Sequence, residues 1–249
     1  MAYIVTGGHS PIALAITRRL CDQNKVYHVT RKIDDKLQNE VSNYSNVVLE
    51  EWDLSDTLRC ISNLEHKLNQ EKVDGIIFAH RYRDHQKNFT IQFVTEVETP
   101  FELVKLYCNY SGFQNGSVVF LSSPAASSIV SDQDFIYHAC KAAISQLVKF
   151  AAINFRATGK RVNGISPGGF IIKDRSTKFY EANDKITGLI NNFVPLGRMG
   201  QVDDIASVVK FLCGEEASYI NGQIVTVDGG YSGMEPSYNL LDNKFNLDK

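Results

Sequence analysis

The stretch Ala2-Tyr-Ile-Val-Thr6-Gly7-Gly8-His9-Ser10-Pro11-Ile12-Ala13 decides how this chain is read. A compact apolar run ends in a glycine pair, and Ile12, Ile16 and Leu20 then recur at helical spacing, so a strand, a tight turn and a helix follow one another. Glycine lets the backbone turn sharply, and the helix N-terminus presents unpaired N–H groups beyond the strand, where a phosphate is well placed. A plain strand–helix turn also favours glycine, so the turn alone leaves both readings open.

The same alternation continues along the chain. Val26–Thr30 and Val47–Trp52 read as strands. Helical spacing follows Asp56 through Leu58, Ile61, Leu64 and Leu68, and Gly75–Ala79 reads as a buried strand. Next come a helix around Val94–Tyr110, a strand at Ser117–Leu121 and a long helix from Tyr137 to about Arg156. Strands at Arg161–Ile165 and Gln223–Val227 then enclose a helix from about Asp203 to Cys213. Such alternation predicts an α/β fold, a doubly wound parallel sheet with helices on both faces. No linker or repeat interrupts it, so residues 1–249 are expected to form one domain. Residues 170–192 and the polar tail from Ser232 to Lys249 stand outside the pattern.

Composition narrows the function classes. The chain has 26 basic and 28 acidic residues among 249, a net charge of −2, and so no broad footprint for nucleic acid. No apolar run approaches the length of a membrane span. The cysteines Cys21, Cys60, Cys108, Cys140 and Cys213 are scattered singly, which suggests reduced thiols in a cytoplasmic protein. His9, His28, His66 and His138 do not fall at metal-ligand spacing, and no metal is expected.

Tyr137-His-Ala-Cys-Lys141 places a phenol and an ammonium one helical turn apart, so both project from the same face. A neighbouring ammonium favours the phenolate, which suits a general acid–base role. Arg31 and Lys32 follow the second strand, where a guanidinium suits a 2′-phosphate and a carboxylate would suit free ribose hydroxyls. Asp53 ends the third strand and could accept the exocyclic amine of adenine or serve as a turn residue.

Taken together these residues resemble the short-chain dehydrogenase/reductase family, over nearly the whole chain. The glycine segment resembles Thr6–Ala13, the adenine-site acid Asp53, and the catalytic serine Ser123 in Val118-Val119-Phe120-Leu121-Ser122-Ser123. The Tyr-x-x-x-Lys pair is Tyr137 and Lys141. Arg161-Val-Asn-Gly-Ile-Ser-Pro167-Gly168 resembles the turn beside the nicotinamide. The longest match runs from Pro195-Leu-Gly-Arg-Met-Gly through Asp204-Ile-Ala to Gly222-Gln-Ile-Val-Thr-Val-Asp-Gly-Gly230.

The resemblance implies a Rossmann-like fold and hydride transfer between a nicotinamide and a small-molecule carbonyl or secondary alcohol. Tyr137 would be the general acid–base, Ser123 would hold the reacting oxygen, and Lys141 would support the phenol and hold the ribose. Thr6, Gly7, Ser10, Ile12, Arg31, Lys32, Asp53, Leu54, Ala79, Lys141, Pro167, Gly168 and Ile172 would bind the cofactor, with NADP(H) preferred over NAD. A homodimer or homotetramer is implied, with Ala139, Ala142, Ala143, Ala151 and Ala152 permitting close helix contact.

Several positions depart from the family pattern. Pro11 and Ala13 replace glycines, Ala13 being expected to narrow the cofactor's approach. Phe78-Ala79-His80-Arg81 replaces Asn-Asn-Ala-Gly, Glu96 stands for the asparagine of the catalytic set, and Ile172 for a threonine. Arg81 or Arg83 is expected to bind an anionic group of substrate or cofactor, and Phe170 and Phe179 to belong to a substrate lid. Alternatives are a 3-oxoacyl-thioester reductase, for which no basic carrier-docking patch is evident apart from Arg156, Lys160 and Arg161, a sugar or nucleotide-sugar reductase, and a dinucleotide-binding scaffold with little turnover.

Overall fold

The computed structural model describes residues 1–83, 88–131, 133–155, 159–169, 171–172, 188 and 193–234. A parallel seven-stranded sheet runs in the order β3-β2-β1-β4-β5-β6-β9. The strands are β1 (Ala2–Thr6), β2 (Lys25–Thr30), β3 (Val47–Glu51), β4 (Gly75–Phe78), β5 (Gly116–Leu121), β6 (Lys160–Pro167) and β9 (Ile224–Val227). A second, two-stranded sheet pairs β7 (Ile171–Ile172) with β8 (Gly200–Gln201).

The helices are α1 (Pro11–Cys21), α2 (Asp35–Val41), α3 (Thr57–Gln70), α4 (Phe89–Phe93), α5 (Thr99–Asn109), α6 (Phe135–Asn154) and α7 (Val202–Cys213). A π-helical turn, Val94–Glu98, joins α4 to α5. The expected helix therefore begins earlier and carries a widened turn, which a 3.6-residue apolar period does not reveal. The helix α2 was not anticipated, because only Leu37 and Val41 face inward along it. Its start is set by Asp34, whose Oδ1 accepts from Leu37 N at 2.9 Å.

Both sheet faces are covered, and the two-residue period of a strand sorts the core. Ile4, Ile76, Phe78, Val118 and Phe120 point to one side, where they meet Leu64, Leu103, Tyr107 and Ile144 of α3, α5 and α6. Val5, Ile77 and Val119 point to the other, against Ile16 of α1 and Ile205 and Val209 of α7. Each fully buried aliphatic side chain contributes roughly 1.5–3 kcal/mol of transfer free energy. The strand order reverses between β1 and β4, whose ends pair as Thr6 with Phe78. A crevice at the carboxyl edge of such a sheet is where this architecture binds ligands.

Candidate active site

The glycine turn lies at that reversal. Gly7 and Gly8 both donate N–H to Val29 O at 3.1 Å. Gly7 has φ 145° and Gly8 φ 47°. A β-carbon on Gly7 would lie 2.5 Å from Ala13 Cβ and 3.1 Å from Ala79 O, so only glycine lets α1 and β4 close on this point. Ala13 does not narrow a cofactor path as expected. Its methyl is fully buried against Gly7 and the sheet, because position 13 lies on the inner face of α1. Pro11 occupies the first helical turn, where its missing N–H would have no intrahelical partner, and Ser10 caps the helix.

Two histidines secure this turn. His28 is buried in β2, its Nε2 donating to Gly8 O at 2.8 Å while Thr17 Oγ1 lies 2.7 Å from Nδ1. Burial holds the His28 pKa below the usual imidazole value. His9 Nε2 lies 3.0 Å from Asp34 Oδ2, and its Nδ1 is buried without a hydrogen-bond partner among the described residues. Arg31 and Lys32 are exposed just beyond β2, as a phosphate site at this edge requires. Asp53 lies two residues beyond the end of β3, and its Oδ1 accepts from Ser55 N at 3.0 Å, closing a turn into α3; Leu54 beside it is buried. This turn, with its exposed cations and the orphaned His9 nitrogen, fits the pyrophosphate and adenosine end of a dinucleotide.

The second cluster is built from β4, the π-helical turn, β5 and α6. Asp134 caps α6 by accepting from Tyr137 N at 3.0 Å, which fixes Tyr137 in the helix's first turn. One turn further on, Lys141 is 3% exposed and donates to Leu121 O at 3.1 Å. Its Nζ lies 3.2 Å from Glu96 Oε2 and 5.5 Å from the centre of the Tyr137 ring. Glu96 is 1% exposed, and its Oε1 accepts from Tyr82 N at 3.1 Å and Gln92 Nε2 at 3.2 Å. The lysine is thus held against a buried carboxylate. Ser122 Oγ is 2.7 Å from Ser145 Oγ and turned into the fold. Ser123 is only half-buried and accepts from Ala125 N at 3.2 Å, which leaves its own proton free to be donated.

His80 and Arg81 leave β4 into this cluster. His80 Nε2 donates to Thr95 O at 2.9 Å, and its Nδ1 lies 2.7 Å from Thr6 Oγ1. Thr6 therefore faces His80. Burial pushes the His80 pKa down from 6.5 to about 4. The folded protein keeps this ring uncharged while the unfolded chain protonates it near pH 6.5. Stability is therefore full above about pH 6.5 and lost as pH falls towards 4. The loss should be on the order of 3 kcal/mol, read as a falling urea midpoint that His80→Asn flattens over that range. A midpoint slope unchanged by the substitution removes this account.

Arg81 is exposed, and its guanidinium carbon lies 4.2 Å from the centre of the Tyr137 ring. Arg81 Nη2 donates to Gln133 Oε1. His138, next to Tyr137, accepts from Val130 N at 2.9 Å and steadies the loop before α6. Sequence reasoning missed His28, Gln92, Gln133 and His138. A histidine inside the apolar run of β2 was the one available signal, since buried polar side chains need partners. Arg83 is exposed.

At the far end Pro167 closes β6, and Gly168 N donates to Val227 O at 2.9 Å. A cavity of about 110 Å³ lies there among Gly168, Ile171, Val194, Leu196 and Val227. Ile12, half-buried, and buried Ala79 complete the edge near the glycine turn. The backbone of Ile172 pairs with Gln201. Phe170, Phe179 and Arg156 lie outside the described residues, as do 173–187, 189–192 and 235–249.

Lys160 and Arg161, two of the three cations considered for carrier docking, are both used internally. Lys160 is 3% exposed and donates to Tyr110 O at 2.8 Å. Arg161 caps α7 through Leu212 O at 2.8 Å and Gly214 O at 3.0 Å.

A family model described as enoyl-(acyl carrier protein) reductase matches residues 74–232. A tropinone reductase homolog of Arabidopsis thaliana is 30% identical, the match covering 96% of this chain and 93% of the relative. Among solved structures, ElxO with NADP bound superposes with a TM-score of 0.79 at 20% identity, covering 94% of this chain and 99% of that one. A putative 2-deoxy-d-gluconate 3-dehydrogenase from Agrobacterium tumefaciens with bound NADP gives 0.75 at 22% identity, covering 94% and 96%. The matched span includes Ser123, Tyr137 and Lys141 together with β4 to β9 of the parallel sheet. With family model, relatives and sheet topology in agreement, this chain belongs to the short-chain dehydrogenase/reductase family.

Proposed function

We propose that the protein is an NADPH-preferring reductase or alcohol dehydrogenase for a small-molecule carbonyl or secondary alcohol, working as one catalytic domain in the cytoplasm. The observation that carries this is the helix α6, which places Tyr137 one turn before Lys141, whose Nζ is held by the carbonyl of Leu121 at the end of β5, two residues before the half-buried Ser123. The nicotinamide, when bound, supplies or takes the hydride. Tyr137 donates or accepts the proton on the reacting oxygen, and Ser123 donates a hydrogen bond to that oxygen as negative charge develops. Lys141 supports the phenol, with Glu96 holding it in place. Thr6, Gly7, Ser10, Ile12 and Ala79 line the turn that would receive the pyrophosphate. Asp53 and Leu54 lie at the adenine end, and Pro167, Gly168 and Ile172 at the nicotinamide end.

Arg31 and Lys32 support NADP over NAD, as do similarly folded proteins solved with NADP bound. Arg31→Asp should weaken NADPH binding at least about tenfold by loss of a charge-assisted phosphate contact, with NADH binding changed much less. Fluorescence titration with both nucleotides checks this, and equal losses for the two remove the role given to Arg31.

Self-association as a homodimer or homotetramer has support from α6. Ala151 and Ala152 pack inward, so the small-residue face reaches a partner less than expected, yet Phe150 is 48% and Ile153 63% exposed on its outer side. None of the five cysteines is in a disulfide, and burial pushes the Cys60 and Cys108 thiols up to about 12, as inert thiols in a reducing compartment would be. A second reading, a dinucleotide-binding scaffold with little turnover, is favoured by the Lys141 ammonium being buried and engaged by Glu96. The Tyr137 substitution argued in the Discussion separates the two.

A further inference from the structure

We infer that the substrate carries a carboxylate one or two carbons from its reacting carbonyl, and that Arg81 binds it; this rests on the reductase reading above. The guanidinium carbon of Arg81 lies 4.2 Å from the centre of the Tyr137 ring. A carbonyl oxygen that accepts from the Tyr137 hydroxyl sits about 2.7 Å from it. A carboxylate on the adjacent carbon is then within a side-chain rotation of the guanidinium.

The charges around the phenol favour an anion. Lys141 and Glu96 lie 3.2 Å apart and both are buried, so their fields largely cancel at longer range. His80 is uncharged at neutral pH because burial lowers its pKa to about 4. Arg81 thus adds a positive charge that neither neighbour offsets. Among the described residues its partners are an aromatic face and the neutral amide oxygen of Gln133, 52 positions away in sequence. Both are weaker acceptors than a carboxylate, which takes charge-assisted and often bidentate hydrogen bonds from a guanidinium. Arg198 shows the contrast: Asp204 already holds it through contacts of 2.8 Å and 2.9 Å. A carboxylate that displaced the Gln133 amide oxygen would exchange a neutral acceptor for a charged one beside the Tyr137 ring.

The test compares benzoylformate with its methyl ester, which keeps the carbon skeleton and loses the charge. The ester carbonyl is intrinsically the more electrophilic, so any preference for the acid reports binding. The wild type should favour the acid in kcat/KM by about thirtyfold or more, Arg81→Gln should erase the preference, and Arg81→Lys should keep part of it. Calorimetric titration of benzoylformate into NADP⁺-loaded protein gives a readout independent of turnover, and Arg81→Gln should weaken that binding at least about tenfold. Equal or better use of the ester by the wild type overturns the inference while leaving the reductase reading intact. Equal affinity in the two proteins, or no binding to either, overturns it as well. Binding that depends on Arg81 without turnover of either compound supports the anion site and counts against the reductase reading.

Discussion

Tyr137→Phe is expected to lower kcat/KM for carbonyl reduction by about a thousandfold or more while leaving NADPH affinity within about twofold. A positioned general acid contributes on the order of 10²–10⁴ in rate, and phenylalanine removes the proton without removing the ring. The ring must stay, because Arg81 and His138 both pack against it. The fold should therefore survive, since Tyr137 is half-buried and its backbone N–H, not its hydroxyl, is what Asp134 holds. Steady-state kinetics together with nucleotide titration decide the matter. Turnover retained in the variant would mean that another group carries the proton. Turnover absent from the wild type across a broad carbonyl panel, with NADPH still bound, would instead favour the scaffold reading.

The second large effect concerns stability. Glu96→Ala should destabilise the protein by about 3–5 kcal/mol, because it leaves the Lys141 ammonium charged, buried and without its carboxylate. The two side chains are 1% and 4% exposed, so water cannot take over. Glu96 also accepts from Tyr82 N and Gln92 Nε2, and the alanine variant orphans both donors. For a chain of this size each kcal/mol corresponds to roughly 2–4 °C in Tm. Combining Glu96→Gln with Lys141→Met should recover most of the loss, since an unpaired buried charge is what costs the energy. Urea unfolding of the single variants and the double variant measures the coupling. Additive losses would show that the two side chains do not act as a pair.

Much of this architecture was legible because its signals are local. Strands β1, β4 and β5 are apolar runs bounded by glycine and polar residues, buried on both faces, and α3, α5 and α7 carry apolar residues at helical spacing. Gly7 was legible for a steric reason, since a strand that must turn directly under a helix leaves no room for a β-carbon. The helix α2 escaped because two inward residues, Leu37 and Val41, make too weak a period. The π-helical turn escaped because one extra residue per turn shifts side chains without altering composition. That shift aims Glu96 at Lys141 and Thr95 O at His80. Lys160 and Arg161 read as surface cations, yet helix ends elsewhere in the chain left carbonyls that needed them.

By itself the sequence determined the alternation of strands and helices, the glycine turn at the first crossover and the helical Tyr137–Lys141 spacing. Each of these rests on interactions between residues a few positions apart. Only the tertiary structure decided what those groups face: Lys141 meets Glu96, Arg81 lies across Tyr137, and His28 holds the carbonyl of Gly8. Those pairings join segments far apart in the chain. Their geometry depends on sheet order, on a single widened helical turn and on which buried polar group lacked a partner, none of which a local pattern encodes.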